Sequence, residues 1–176
     1  MSVFLKPSEI LVRQATASDS SAIREINEAA FKRKDEADLV EAITASRHFV
    51  PELSLVAEYQ FTKAGYVLFS KVNLENSQAD NILALAPVSV MPEYQRNGVG
   101  SKLIKFGITR SNELGFPLIT VLGDPGYYSR FNFVLATKYN ITCPFPNCEE
   151  HYMVMPMDTY TPDLKGKIIY PPAFHQ

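Results

Sequence analysis

The fold of this chain is decided by one stretch, Ala86-Pro-Val-Ser-Val-Met-Pro-Glu-Tyr-Gln-Arg-Asn-Gly-Val-Gly-Ser-Lys-Leu-Ile104. The apolar run Ile82–Val90 leads into it and predicts a strand that is buried on both faces. A polar turn follows, and Gly98 and Gly100 stand directly before apolar residues at helical spacing. The stretch therefore predicts a buried strand, a tight turn and an amphipathic helix over residues 99–114.

The start of that helix is a candidate phosphate site. The first N–H groups of a helix lack intrahelical partners, and the helix dipole adds positive potential there. Gly98 and Gly100 carry no Cβ and let a ligand approach the backbone, and Arg96 can add a side-chain contact. A tight turn that binds nothing stays open as the alternative. A nucleotide P-loop and a dinucleotide fingerprint do not fit, since the latter needs glycine where Leu103 stands.

The rest of the chain predicts a mixed α/β fold around one twisted sheet. Hydrophobic patterning predicts further strands over residues 10–16, 53–59, 66–72 and 118–122. It predicts helices that begin after a capping box at 16–19 and that span 36–46 and 125–131. Lys63-Ala64-Gly65 is the expected hairpin turn, and Gly115 is the expected C-cap of the 99–114 helix.

Composition favours one soluble domain, residues 1–176, with residues 1–9 as a loose arm. The net charge of −2 gives no sign of nucleic-acid binding or of an anionic membrane surface. No apolar run approaches the roughly 20 residues of a membrane span, and the N-terminus does not resemble a signal peptide. We therefore expect a cytoplasmic protein, and a homodimer stays open.

Two cysteines, Cys143 and Cys148, are too few for a disulfide scaffold. Together with His151 they offer three zinc ligands, but the spacing matches none of the common zinc sites. We expect two reduced thiols and no metal.

Two segments carry a resemblance to a known family. Gln95, Gly98 and Gly100 match the Gln/Arg-x-x-Gly-x-Gly/Ala signature of the GNAT acetyltransferases. Downstream, Tyr127-Tyr128-Ser-Arg-Phe-Asn-Phe133 is similar to the family's Phe-Tyr-x-x-x-Gly-Phe segment. The resemblance covers residues 10–155, and the tail 166–174 resembles a bacterial subgroup of small GNAT proteins whose substrates are largely unassigned.

The resemblance implies a mostly antiparallel twisted sheet, flanked by helices and splayed where acetyl-CoA binds. It implies that the backbone of three strand-end residues holds the pantetheine arm: Val88, Ser89 and Val90. It also implies that N–H groups of the following turn and helix cradle the pyrophosphate, beside the signature residue Gln95: Arg96, Asn97, Gly98, Val99, Gly100 and Ser101.

The second segment implies that Tyr128 is the general acid that protonates the departing thiolate of CoA, and Tyr127 is expected to be a core aromatic. The chain departs from the family pattern at Asn132, which replaces glycine but tolerates positive φ. It also has Gly123-Asp124-Pro125 in a region where the family often has an asparagine that contacts the cofactor or positions the acid.

No general base can be identified. Glu58 and His48 are candidates, but a solvated carboxylate and a loop imidazole are the favoured interpretations. The resemblance implies direct transfer of an acetyl group from acetyl-CoA to a primary amine, on a small molecule or a peptide, within a ternary complex. A catalytically silent acyl-CoA-binding or sensing domain and a protein lysine or N-terminal acetyltransferase remain as alternatives.

Overall fold

The computed structural model describes residues 6–75 and 81–175, and these ranges contain nine strands and four α-helices. The strands are β1 (Leu11–Gln14), β2 (Ser54–Tyr59), β3 (Thr62–Leu74), β4 (Ile82–Val90), β5 (Leu118–Leu122), β6 (Val134–Leu135), β7 (Ile141–Thr142), β8 (Tyr152–Pro156) and β9 (Gly166–Ile169). The helices are α1 (Ser20–Phe31), α2 (Asp35–Thr44), α3 (Val99–Glu113) and α4 (Pro125–Tyr128).

The strands form one sheet with the order β1-β2-β3-β4-β5-β8-β6, and β9 joins it by pairing with β3 and β7. All pairs are antiparallel except β4 with β5 and β7 with β9. The predicted mixed and mostly antiparallel sheet is therefore confirmed.

Helices cover both faces of the sheet. On one face, α3 buries Leu103 and Ile104 against β2, β3 and β4. Gly107 brings α3 so close that a Cβ there would lie 2.1 Å from the Phe69 ring. On the other face, α1 and α2 pack apolar side chains such as Ile26 and Ile43 onto β2 and β3. This arrangement fixes α3 rigidly beside the end of β4.

The sheet is splayed between β4 and β5. The two strands pair in parallel only where Ile82, Leu83 and Ala84 face residues 118–120, and the pairing stops there. On its other side, β4 carries an extra residue opposite β3, since Val88 pairs with Val67 but Leu85 pairs with Phe69. Pro87 lies in this bulge and has no N–H to give to a ladder, so β4 bends as the gap opens. The predicted divergence of the two strands is confirmed.

The predicted hairpin turn was misplaced. The chain reverses at Gln60 and Phe61, which both have positive φ (46° and 67°), whereas residues 63–65 lie inside β3. Gly65 serves a close approach instead, because a Cβ there would lie 2.9 Å from Val99 Cγ1 and 3.0 Å from the Ser89 carbonyl oxygen. Gly65 thus lets the first turn of α3 settle onto β3.

Other local predictions are close to the structure. The capping box between Thr16 and Asp19 is present, and Gly115 follows α3 with a φ of +80°. Of the arm expected at residues 1–9, residues 1–5 lie outside the described ranges, and Pro7–Glu9 forms a single 3-10 turn.

The expectation of two reduced thiols is wrong. Cys143 and Cys148 form a disulfide, with their Cα atoms 6.2 Å apart. The intervening Pro-Phe-Pro-Asn segment folds back through Asn147, whose φ is +55°, and this brings the two cysteines within bonding range. The disulfide lies in the apolar cluster around Tyr152 and Tyr170.

Candidate active site

A cleft of about 600 Å³ opens where the sheet is splayed. Its walls come from the end of α1, the end of β4, the first turn of α3 and the α4 segment. It is lined by Ala30, Phe31, Val88, Val90, Tyr94, Gln95, Arg96, Gly98, Val99, Gly100, Ser101, Tyr127, Tyr128 and Arg130. Most of the residues that the sequence predicted for a cofactor are therefore brought together around one cavity.

The N-terminus of α3, the candidate anion site, lies at one end of this cleft. Gly98 is the N-cap with a φ of +83°, and no side chain caps the helix. The first intrahelical bond runs from the Lys102 N–H to the Gly98 carbonyl (3.0 Å), so the N–H groups of the preceding turn have no intrahelical acceptor. A Cβ at Gly100 would lie 3.6 Å from Val90 and 3.7 Å from Val88. A Cβ alone would make ordinary contacts with these two valines, so it is a side chain larger than alanine that would fill the cradle.

Side chains of the β4–α3 turn hold its shape. Gln95 donates through Nε2 to the Val90 carbonyl (3.0 Å), and Asn97 donates through Nδ2 to the Gln95 carbonyl (3.0 Å). Arg96 has a φ of +61°, an unfavoured backbone conformation for this residue type. Gln95 therefore ties the turn to the end of β4, and Asn97, which does not line the cleft, positions the turn by its side chain.

The end of β4 presents alternate residues to the cleft. The Met91 N–H donates to the Ala64 carbonyl of the β3 side (2.9 Å), and by strand alternation the backbone groups of Ser89 face β3 as well. Ser89 is only 2% exposed, and its side chain points to the Tyr66 carbonyl. Val88 and Val90 line the cleft, with the Val90 carbonyl accepting from Gln95, whereas Ser89 does not line the cleft.

Tyr128 lies on the opposite wall in a tight aromatic setting. Its ring packs edge-to-face against Tyr127 (5.1 Å between centroids) and Phe133 (5.8 Å). A Cβ at Gly123 would lie 2.4 Å from Tyr128 Cε2, so only glycine leaves room for this ring. Burial, and secondarily the neighbouring Tyr127, raises the pKa of Tyr128 to about 12. The phenol is therefore fully protonated at neutral pH.

Tyr127 packs against the apolar core, as the sequence suggested, but it is also part of the cleft wall. It is half-buried and lines the same cleft as Tyr128. Its hydroxyl lies 3.3 Å from the position that a Cβ of Gly100 would occupy. The guanidinium of Arg130 stacks on the Tyr127 ring, with Cζ 4.3 Å from the ring centroid. Tyr127 and Arg130 therefore both line the cleft, and the pair of adjacent tyrosines in one short helix gave no sequence signal for this.

The departures from the family pattern have structural explanations. Asn132 adopts the left-handed conformation (φ 69°, ψ 18°) that was expected of it. Asp124 caps α4 by accepting from the Gly126 N–H (2.8 Å). Gly123, which the sequence marked only as part of a departure from the family pattern, does not line the cleft but leaves room for the Tyr128 ring.

The two candidate bases lie outside the cleft lining. Glu58 is bound to Arg13 and Lys63, and these bonds, the one from Arg13 above all, lower its pKa. Asp19 completes this ion cluster, and its pKa is lowered too, chiefly by Arg13. His48 contacts the Lys71 carbonyl through Nδ1 (3.0 Å). Glu58 is therefore held in an ion cluster rather than solvated as the sequence suggested, and His48 is held by the backbone of Lys71.

Two structural absences hold for residues 6–75 and 81–175. No group of three or more His, Cys, Asp or Glu side chains in these ranges is arranged to hold a metal ion. None of the helices in the same ranges combines the length and the apolar content that a bilayer crossing requires.

The splayed sheet and the glycine cradle at the start of α3 define an acetyltransferase. The acetyltransferase (GNAT) family matches residues 20–131, and the chain belongs to this family. It is 36% identical over 146 residues to the uncharacterized N-acetyltransferase YjhQ of Escherichia coli K12, a match that spans 82% of this chain and 81% of YjhQ. The uncharacterized N-acetyltransferase YhbS of the same strain is 30% identical over 82% of this chain and 86% of YhbS.

Solved structures agree with this assignment. The crystal structure of E. coli YhbS in complex with CoA superposes with a TM-score of 0.88 at 28% identity, over 96% of this chain and 93% of that chain. A GNAT family acetyltransferase from Brucella melitensis in complex with acetyl-CoA has a TM-score of 0.78 at 29% identity, over 94% of this chain and 97% of the other.

Proposed function

We propose that this chain transfers an acetyl group from acetyl-CoA to a primary amine by direct attack within a ternary complex. The observation that carries the proposal is one cleft that holds both an uncapped, glycine-lined helix N-terminus and the phenol of Tyr128. The complexes of E. coli YhbS with CoA and of the Brucella melitensis protein with acetyl-CoA support acetyl-CoA as the donor.

Acetyl-CoA would lie in the gap between β4 and β5. The N–H groups at Val99, Gly100 and Ser101 would bind the pyrophosphate, because the start of α3 offers donors without intrahelical partners. The exposed backbone of Val88 and Val90 would hold the pantetheine arm as a further strand would be held. The thioester would then lie near Tyr128, with its carbonyl oxygen toward N–H groups at the end of β4.

The reaction itself needs few groups from the protein. The neutral amine attacks the thioester carbonyl carbon, and the tetrahedral intermediate collapses with cleavage of the C–S bond. The departing sulfur takes a proton from Tyr128, and the attacking nitrogen, which is cationic after the attack, gives up one proton to water. The protein contributes mainly by orientation of the two reactants, which can supply several kcal/mol of the barrier.

The raised pKa of Tyr128 defines how it acts. With a pKa of about 12, Tyr128 is a weaker acid than a thiol of pKa about 8.5. Complete proton transfer from Tyr128 to the thiolate would therefore be uphill by about 5 kcal/mol. Tyr128 therefore gives up its proton only as negative charge develops on the departing sulfur, and the resulting phenolate recovers a proton from the water that accepted the amine proton. Because the resting phenol is protonated near pH 7, the donor is present at the start of each turnover.

The placement of Tyr128 favours an enzyme over a catalytically silent acyl-CoA-binding domain, since such a domain needs no proton donor at the thioester end. Both small-molecule amines and peptide amines remain acceptors under this proposal, and the alternative of a protein acetyltransferase is the case in which only peptides react.

The test is a free-thiol release assay with acetyl-CoA and a panel of small amines, amino acids and peptides. With the best acceptor, Tyr128→Phe should lower kcat by about 10²- to 10⁴-fold, the range for a lost general acid. Its affinity for acetyl-CoA should change little because the ring and its packing remain.

Tyr139→Phe is the matched control, because Tyr139 packs against Tyr160 in a separate apolar cluster and should keep the wild-type rate. Normal turnover in Tyr128→Phe would remove Tyr128 from the mechanism. No thiol release with any acceptor, despite acetyl-CoA binding, would favour the silent binding domain.

A further inference from the structure

The wall of the cleft that faces the N-terminus of α3 also carries positive charge, and it is formed by α4 and the residues that follow α4. Two arginines, Arg96 and Arg130, are among the described lining residues of the cleft, and no Asp or Glu is. The whole chain carries a net charge of −2, so this concentration of positive charge is local to the cleft. An anionic ligand is the partner that such a distribution favours.

Arg130 is held in a defined orientation. Its Nε donates to the Tyr127 carbonyl (3.1 Å), and its guanidinium stacks on the Tyr127 ring at 4.3 Å from the centroid. Neither contact uses the two terminal nitrogens of Arg130, so both nitrogens can donate to a phosphate in a bidentate contact. A preoriented guanidinium loses less conformational entropy on binding than a free one.

Tyr127 links this wall to the helix cradle. Its hydroxyl lies 3.3 Å from where a Cβ of Gly100 would be, directly over the first turn of α3. An anion seated on the N–H of Gly100 is therefore within reach of the Tyr127 hydroxyl. The Arg130 guanidinium lies on the face of the same ring, on the cleft side.

We propose that Tyr127 and Arg130 form the second half of the pyrophosphate site, so that the pyrophosphate of CoA is held between them and the N-terminus of α3. This inference rests on the proposed function, since it assigns residues to the cofactor named there. In this arrangement Tyr127 contacts the pyrophosphate of CoA, and Tyr128 donates a proton at the thiol end.

The test is calorimetric titration of CoA and dephospho-CoA, which lacks the 3′-phosphate, into the wild-type chain and its variants. Arg130→Gln should weaken both ligands by the same factor, about tenfold or more, as expected for a lost charged hydrogen bond. Tyr127→Phe should weaken both about fivefold. The salt dependence of CoA affinity should become shallower in Arg130→Gln, an effect that a purely structural role would not produce.

Arg110→Gln is the control, since it removes the same charge from α3 where Arg110 pairs with Glu113, away from the cleft. A loss confined to CoA would place Arg130 at the 3′-phosphate and overturn the inference. Unchanged affinities in folded Arg130→Gln and Tyr127→Phe would overturn it as well. A wild-type chain that binds neither ligand would instead refute the proposed function.

Discussion

Gly123→Ala tests whether the position of the Tyr128 ring matters for catalysis. The φ of Gly123 lies outside the positive region, so alanine is allowed by the backbone and the perturbation is steric. The new Cβ would lie 2.4 Å from Cε2 and 3.0 Å from Cδ2 of Tyr128. Carbon atoms in ordinary contact are about 3.5–4.0 Å apart, so the ring must retreat by about 1 Å.

A displacement of that size predicts a loss of about 10²-fold in kcat, the usual effect of a 1 Å misplacement of a reacting group. Affinity for acetyl-CoA should stay near the wild-type value, because Gly123 does not line the cleft and the α3 cradle is untouched. The assay is thiol release at saturating concentrations of both substrates, with the dissociation constant of acetyl-CoA measured in parallel. Thermal unfolding checks that the variant is folded.

Gly126→Ala is the matched control for this variant. Gly126 lies in α4, the short helix that carries Tyr128, and a Cβ there would meet only the side chain of Asp124, at 3.3 Å. Its kcat should be close to that of the wild type. A folded Gly123→Ala protein with wild-type kcat would refute the reasoning, since the ring would then have moved without any effect on the reaction.

Two predictions concern stability. Gly107→Ala should lower the free energy of unfolding by about 1–3 kcal/mol in denaturant titrations, because overpacking against Phe69 outweighs a gain of about 1 kcal/mol in helix propensity. Adding Phe69→Leu to this variant should recover part of the loss. A Gly107→Ala protein that is more stable than the wild type would contradict the close packing of α3. The folded-state pKa values of Asp19 and Glu58 are lowered, so their stabilisation is complete above the unfolded-state values of about 4 and is lost as the pH falls below them. Asp19→Asn should therefore cost about 2 kcal/mol at pH 7 and progressively less below pH 4 or so, and a pH-independent difference would refute the role of the Arg13 cluster.

The elements around the cleft were predictable because their signals are local. The apolar run of β4 and the spacing of α3 and β5 mark buried segments, and the structure places β4 and β5 at the predicted bounds. The glycine cradle was predictable from Gly98 and Gly100, because the first N–H groups of any α-helix lack intrahelical partners. The left-handed conformation of Asn132 followed from its residue type.

The errors arose where a residue's role depends on a distant partner. Gly65 was interpreted as part of a turn, but it provides space for Val99, and the real turn at Gln60 and Phe61 contains no glycine. Tyr127 gave no signal because only the approach of α4 to Gly100 brings it into the cleft. Gly123 matters through the ring of Tyr128, which only the folded turn brings against it. Contacts across the fold, rather than propensities, decide these positions.

The central claim is that the N-terminus of α3 binds acetyl-CoA, and calorimetry on Gly100→Val tests it most directly. A Cβ at Gly100 already touches its neighbours at 3.3–3.7 Å, so the branched side chain of valine must extend over the phosphate position. The account predicts that the wild-type chain binds acetyl-CoA with a micromolar dissociation constant, about −8 kcal/mol, and that Gly100→Val folds normally and shows no measurable binding. A folded Gly100→Val protein with wild-type affinity would contradict it.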